Sequence, residues 1–261
     1  RMLTGFLRSI GIYKLYEKWL NRQVRSDRMP EHVAVILDGN RRWATGHALP
    51  SILGHEKGAK TGEEFLNWAL DLDIKTVTVY AFSTENYRRK DNEVQEVLNL
   101  IGNQLKLLET NPRLHENRVR VKALGRIELL PNSLREILER IEKATSYYDQ
   151  HYLNIAIAYG GRAEIVDAAK KIGRDIEHGK LVSEQIDENI FRDYLYTAHL
   201  PNPYPDLIVR TSGEERLSGF LLWQSAYSEL CFLDVYWPDF RKIDLLRAIR
   251  TYQQRRRRYG T

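Results

Sequence analysis

The stretch His32-Val-Ala-Val-Ile-Leu37 constrains the fold more than any other part of the chain. From Val33 it is continuously apolar and mostly β-branched, and it stops abruptly at Asp38-Gly39-Asn40. A strand with one wet face alternates apolar and polar residues. A strand apolar throughout is covered on both faces, as in a parallel sheet, and Asp-Gly marks a tight turn at its carboxyl end. Similar runs at 76–80, 119–123, 153–157, 206–209 and 230–235 predict five more strands. Apolar residues at helical spacing fill 56–70, 93–108, 133–148 and 163–177, with a closing helix over 243–258. Strand alternating with helix predicts an α/β fold, a mostly parallel six-stranded sheet flanked by helices.

No linker, repeat or low-complexity tract divides the chain, so 30–261 reads as one domain. Residues 1–29 read as an N-terminal amphipathic helix. Leu3, Phe6, Leu7, Ile10, Tyr13, Leu20 and Val24 recur near helical spacing, with Arg8, Lys14, Lys18, Arg22 and Arg25 between them. Such a helix either packs on the domain or touches acidic lipid headgroups.

Composition narrows the function. With 43% hydrophobic and 29% charged residues, disorder, collagen and coiled coil are excluded for the whole chain. The lone Cys231 permits neither an intrachain disulfide nor a cysteine metal cluster. No apolar run approaches the ~18 residues of a membrane span, and no signal-peptide pattern follows Arg1-Met2. A cytoplasmic location is expected, with peripheral membrane contact through the N-terminal helix. The net charge of +5 is uneven: 241–261 hold eight basic residues against Asp244, a local +7 that leaves the rest near −2. A nucleic-acid binder spreads its basic stripe across a domain face, whereas cations at a helix end complement its dipole. No nucleic-acid partner is expected.

Ligands of an open parallel sheet bind beyond the carboxyl ends of its strands. The first strand is followed by Asp38, Gly39, Asn40, Arg41 and Arg42; the second by Ser83, Thr84, Glu85, Asn86, Arg88 and Arg89. Arg126 follows the third, Gly160, Gly161 and Arg162 the fourth, and Arg210, Thr211, Ser212, Gly213, Arg216 and Ser218 the fifth. This rim is rich in arginine, hydroxyls and glycine. Guanidinium forks bind phosphate bidentately, and a helix opening at Asn40 adds its positive end. A magnesium ion bridging phosphates needs one or two protein carboxylates. Asp38 is one candidate and Glu229, just before the last strand, the other. Val94, Val97, Leu98, Ile101, Leu105 and Leu108 form a wide apolar stripe, either core packing or the wall of a hydrocarbon site.

Over Pro30 to Gly260 the chain resembles the cis-prenyltransferases of the undecaprenyl diphosphate synthase type. The motifs are His32-Val-Ala-Val-Ile-Leu-Asp-Gly-Asn-Arg-Arg-Trp-Ala44, Gly54-His-Glu-Lys-Gly-Ala59, Tyr80-Ala-Phe-Ser-Thr-Glu-Asn-Tyr-Arg-Arg89, Asn154-Ile-Ala-Ile-Ala-Tyr-Gly-Gly-Arg162 and Asp206-Leu-Ile-Val-Arg-Thr-Ser-Gly-Glu-Glu-Arg-Leu-Ser218. The resemblance implies elongation of an allylic diphosphate primer by isopentenyl diphosphate, with magnesium and a homodimer. It implies that Asp38 is the essential aspartate and that Gly39, Asn40, Arg41, Arg42 and His55 cradle the allylic diphosphate, with Trp43 beside the reacting end. Ser83, Thr84, Glu85, Asn86, Tyr87 and Arg89 form the loop over the reacting carbons. Asn86 or the diphosphate itself takes the proton. Arg210, Arg216, Leu217 and Ser218 belong to the isopentenyl diphosphate site, and Glu229 is the second metal ligand. Arg258 and Gly260 complete the site of a partner subunit. The archaeal wording of the motifs implies a farnesyl or geranylgeranyl primer and a glycosyl-carrier-lipid product. Non-catalytic family members lack the aspartate and arginines present here. Ser51 stands where many members have arginine, which leaves weaker primer binding, compensation by Arg41, or an altered donor or acceptor open. A coupling of unusual regiochemistry is the alternative function.

Overall fold

The computed structural model describes residues 12–255. Its elements run α1 (Ile12–Arg25), β1 (His32–Ile36), α2 (Asn40–Gly46), α3 (Ser51–Asp71), β2 (Thr76–Ser83), α4 (Asp91–Glu109), α5 (Pro112–Glu116), β3 (Val119–Leu124) and α6 (Asn132–Ala144). They continue as β4 (His151–Tyr159), α7 (Gly161–Glu177), α8 (Glu188–Arg192), β5 (Leu207–Arg210), β6 (Glu229–Phe232) and α9 (Lys242–Gln254). The strands form one six-stranded sheet in the order β3-β4-β2-β1-β5-β6. Every pairing is parallel. β1 is central and buried at all of its positions, as its sequence requires.

Each face of the sheet builds its own apolar layer because successive side chains alternate. Val33, Val35, Val77 and Ile155 pack with Phe65 of α3, Val97 and Leu98 of α4, and Leu134 and Ile141 of α6. Ala34, Ile36, Tyr80, Ala156 and Ile208 pack under Tyr159, Phe220 and Leu221. α1 lies along α9, with Leu20 and Val24 fully buried.

The departures from expectation are local. The strand expected over 230–235 ends at Phe232. The residues after it hold a loop instead: Gly213 N–H donates to Leu233 O at 2.9 Å and Ser212 N–H to Val235 O at 2.7 Å. The helix expected over 133–148 stops at Ala144, where the Thr145 hydroxyl bonds Ile141 O at 2.8 Å and receives Val121 N–H at 3.1 Å. Of the N-terminal helix expected within 1–29, the part before Ile12 lies outside the described residues, as do Arg258 and Gly260.

Candidate active site

Adjacent strands β1 and β5 deliver Asp38 and Arg210 to the same point of the carboxyl rim. Arg210 Nη2 donates to Asp38 Oδ2 at 2.8 Å, and Arg42, in the first turn of α2, donates to Asp38 Oδ1 at 3.2 Å. Partial burial opposes the charge on Asp38. Hydrogen bonds from Arg210 and Ser212, with the charges of Arg210 and Arg42, outweigh it and hold the carboxyl below its ordinary range. Arg210 is only 4% exposed and is held further by Ser218 Oγ at 2.9 Å and by Arg216 O. Arg42 also reaches Ser212 Oγ at 2.6 Å and Glu214 Oε1 at 2.9 Å, and the other Glu214 oxygen takes Arg216. The loop between Arg210 and Ser218 has Ser212 and Ser218 in left-handed backbone conformations, at φ 80° and 49°. Such residues outside glycine cost energy and cluster where a side chain must be aimed.

A second basic group sits beside the first. Arg89 donates to Glu93 Oε1 at 3.2 Å, and Arg41 Nε lies 3.4 Å from the same oxygen. His55 is next to them: burial lowers its pKa to about 4, aided by the Arg89 and Arg41 charges and opposed by Glu93. The imidazole is therefore neutral at neutral pH. α2 approaches α3 closely enough that a Cβ on Gly54 would stand 2.1 Å from Asn40 O, and one on Gly58 would stand 2.2 Å from Asn40 Oδ1. Gly39 turns the chain from β1 into α2 at φ 107°, pressed against Tyr236. Five buried side-chain atoms of this region have no protein partner: Asn40 Oδ1, Trp43 Nε1, Ser51 Oγ, His55 Nε2 and Arg210 Nε. Asn40, His55 and Arg210 line one cleft, and unpartnered buried polar atoms there call for a polar ligand.

Three cavities meet here. One of about 510 Å³ is lined by Asp38, Arg41, Arg42, His55, Arg89 and Arg210. It shares Tyr80, Ser83, Asn86 and Ser218 with a second, of about 720 Å³, which holds Thr84, Glu85, Gly160, Gly161 and Arg162. It shares Leu37, Asn40, His55, Ala81 and Val97 with a third, of about 230 Å³ and mostly apolar, running between α3, α4 and the sheet. The loop after β2 thus stands between two polar chambers. Ser83 N–H donates to Asn86 Oδ1 at 2.9 Å, which commits that oxygen to the loop. Tyr87 is anchored edge-on to Phe82 and through its hydroxyl to Leu129 O at 3.3 Å. Leu217 packs against the second apolar layer.

Glu229 does not join Asp38 within one chain. It opens β6 opposite Leu207, three positions before Arg210. At ~3.3 Å per residue this sets it roughly 10 Å down the sheet, where it binds Arg255 Nη1 at 3.0 Å. Among the described residues no group of three or more metal-ligating side chains forms. Arg126 also leaves the rim, bidentate to Asp167 at 2.9 Å on both oxygens. The residues sequence reasoning missed are Glu93 and Glu214, each a carboxylate shared by two arginines. The available signals were the four-residue spacing from Arg89 to Glu93 and an acid placed between Arg210 and Arg216.

The profile of the undecaprenyl diphosphate synthase family matches residues 36–260. The geranylgeranyl-diphosphate-specific tritrans,polycis-undecaprenyl-diphosphate synthase of Methanopyrus kandleri is 51% identical, over 95% of this chain and 91% of its own. The same-named protein of Pyrococcus horikoshii is 52% identical, over 95% and 93%. The crystal structure of lavandulyl diphosphate synthase from Lavandula x intermedia, in complex with dimethylallyl diphosphate, superposes with a TM-score of 0.85 at 34% identity, covering 89% of this chain and 99% of that one. A probable undecaprenyl diphosphate synthase from Campylobacter jejuni gives 0.72 at 30% identity, covering 90% and 100%. A phosphate-ready rim above an apolar cavity and near-full-length similarity agree: this chain is a prenyl-transferring enzyme of the undecaprenyl diphosphate synthase family, the cis-prenyltransferases.

Proposed function

We propose that the chain lengthens geranylgeranyl or farnesyl diphosphate with isopentenyl diphosphate to a cis-polyprenyl diphosphate, the precursor of a glycosyl carrier lipid. The observation that carries this reading is the continuity of the arginine-lined chamber with the apolar cavity through Leu37, Asn40, His55, Ala81 and Val97. A ligand seated across that junction has a polyanionic head and a long hydrocarbon tail. Arg41, Arg42 and Arg89 face the primer diphosphate, with the neutral His55 beside it. Arg210, Arg216 and Ser218 face the second diphosphate.

The allylic C–O bond breaks, and the double bond of isopentenyl diphosphate attacks the carbon released. A proton then leaves the newly joined unit. The guanidiniums stabilise charge on the departing diphosphate, an electrostatic contribution fixed before reaction. The apolar cavity keeps water from the allylic cation. Magnesium fits a donor set of Asp38 plus substrate phosphates and waters. Bound there, it would neutralise diphosphate charge and make diphosphate a better leaving group. Asn86 holds the loop through its oxygen, so we assign it a positioning role and give the proton to diphosphate. Finer parts of the proposal are a homodimer completed by Arg258 and Gly260 of the partner chain, and membrane contact through α1. There Leu15 and Trp19 are exposed, and Arg247 and Arg250 stack on Tyr16 and Trp19.

The test is incubation with labelled isopentenyl diphosphate, magnesium and primers of graded length, with products read by mass and double-bond geometry. Cis-elongated chains from the longer primers are expected; no elongation of any allylic primer refutes the reading. The close likeness to lavandulyl diphosphate synthase favours a second reading, coupling of unusual regiochemistry, which the same products distinguish.

A further inference from the structure

Helical threonines turn their hydroxyls back on their own chain. Thr145 and Thr251 each donate to the carbonyl four residues before them, at 2.8 and 3.0 Å. Thr211 bonds differently. It is fully buried, stands just beyond β5 and directly after Arg210, and its hydroxyl meets a residue 173 positions away in sequence. Thr211 Oγ1 donates to Asp38 O at 2.7 Å and accepts Asp38 N–H at 3.1 Å. A hydroxyl donates and accepts at once, so this one holds both backbone polar groups of Asp38.

The reason lies in where β1 ends. Ile36, opposite Arg210, makes the last pair of the β1–β5 ladder. Beyond it Asp38 has no strand partner, and its backbone groups must bond elsewhere. Asp38 N–H also reaches Ile36 O at 2.9 Å, and Asp38 O also takes Trp237 N–H at 3.0 Å. Thr211 is therefore a second partner for each group. Removing its hydroxyl leaves neither group unpaired, so the turn closes without it. What the hydroxyl fixes is position. It ties the Asp38 backbone to the residue beside Arg210, while the Asp38 carboxylate meets Arg210 at 2.8 Å and Arg42 at 3.2 Å. The next residue, Ser212, turns left-handed at φ 80° and accepts Arg42 at 2.6 Å. Three consecutive residues, Arg210, Thr211 and Ser212, thus set one carboxylate through its charge, its backbone and its neighbouring guanidinium.

We propose that Thr211 is a positioning residue whose hydroxyl sets where the Asp38 carboxylate stands relative to Arg210, and that turnover depends on this placement. The inference rests on the elongation reading given above. Without the hydroxyl, Asp38 stays bonded to Ile36 and Trp237 but loses its backbone tie to the end of β5. A displacement of ~1 Å at a reacting centre is enough to cost ~100-fold in rate.

The experiment compares Thr211→Val, which keeps the shape and removes the hydroxyl, with Thr211→Ser, which keeps the hydroxyl. Thr211→Val is made both in the wild type and in Asp38→Asn, and incorporation of labelled isopentenyl diphosphate gives kcat. Thr211→Val should lower kcat by roughly 10- to 100-fold in the wild-type background, and Thr211→Ser should keep most of it. In Asp38→Asn the same valine change should cost far less, because the charge it places is already gone. In chelator, Thr211→Val should bind inorganic diphosphate more tightly than the wild type, because a loosened Asp38 releases part of Arg210. A folded Thr211→Val enzyme with wild-type kcat overturns the proposal, whatever its melting temperature. So does a loss equal in both backgrounds to within about twofold, a serine variant as slow as the valine one, or metal-free diphosphate binding no tighter than the wild type. Should Thr211→Val not fold, Thr211→Ala takes its place under the same criteria. Failure of the wild type to elongate any primer overturns the functional reading instead, and the titration in chelator then decides the placement of Asp38.

Discussion

Replacing Asp38 with asparagine separates the two things its carboxylate does. In the free protein it is the counter-ion of Arg210, which is nearly inaccessible and donates to no other carboxylate among the described residues. In the proposed reaction it anchors magnesium. Asparagine keeps an acceptor for Arg210 and Arg42 but removes the charge. The fold should lose about 1 kcal/mol, the net worth of one weakened hydrogen bond, which lowers the melting temperature by ~2–4 °C in a chain of this size. Turnover should fall much further, by ~10²–10³, the usual cost of one preorganised electrostatic stabiliser. The same change frees two guanidiniums from their carboxylate. Without metal, the variant should bind inorganic diphosphate several-fold more tightly than the wild type. Steady-state incorporation of labelled isopentenyl diphosphate measures the first effect, and calorimetric titration with diphosphate in chelator the second. An Asp38→Asn enzyme that keeps turnover within ~10-fold of the wild type, or binds metal-free diphosphate less tightly than the wild type, would refute the assignment.

Ser51→Arg should restore a guanidinium beside His55, one turn further along α3. A charge-assisted bond of ~1.5–3 kcal/mol predicts a primer KM at least tenfold lower, and an unchanged KM would mean that the site does without it. Gly54→Ala drives a Cβ into the Asn40 carbonyl, an overpacking cost of about 1–3 kcal/mol. Calorimetry should show a drop of several degrees, with Gly62→Ala, whose Cβ meets nothing and which should instead gain up to ~1 kcal/mol of helix propensity, as the control. Burial holds His32 and His199 to about 4, whereas the unfolded chain protonates them near 6.5. Between those values the unfolded state binds protons the folded state lacks. Stability is therefore full above pH ~6.5 and lost as pH falls toward 4. Melting curves across that window test the slope, and a flat profile would contradict it.

The strands were legible because burial on both faces leaves an unbroken apolar run, and the turn residues that follow name the rim. Arginines on that rim were legible as a type, but their partners were not. Arg42 meets Glu214 across 172 positions of sequence, a distance no local spacing reports. The distance of Glu229 from Asp38 was hidden for a related reason: a four-residue strand gives no hint of its register. Pairing with Leu207 puts it at the foot of β5 rather than the head. Arg126 follows a strand as the others do, yet Asp167 on α7 holds it in a bidentate pair. Position after a strand brings a residue to the rim, and only the facing element decides where its charge goes.

The missed carboxylates explain how so basic a site stays assembled before substrate arrives. Arg41, Arg42, Arg89, Arg210 and Arg216 would repel one another if left bare. Asp38, Glu93 and Glu214 pair with all five of them. The rim thus carries a residual positive charge of about two, enough to attract a polyanion without disordering the empty site. Each acid serves two arginines at once, so none of the guanidiniums has its full donor set engaged by charge. An incoming diphosphate, with more oxygens and more charge than one carboxylate, can claim the remaining donors. A simple carboxylic acid cannot, because it offers no more than the acids already there. If the rim holds the diphosphates as proposed, this competition predicts selectivity for diphosphate over carboxylate, and neutralising Glu214 as glutamine should weaken it by making Arg42 and Arg216 available to any anion.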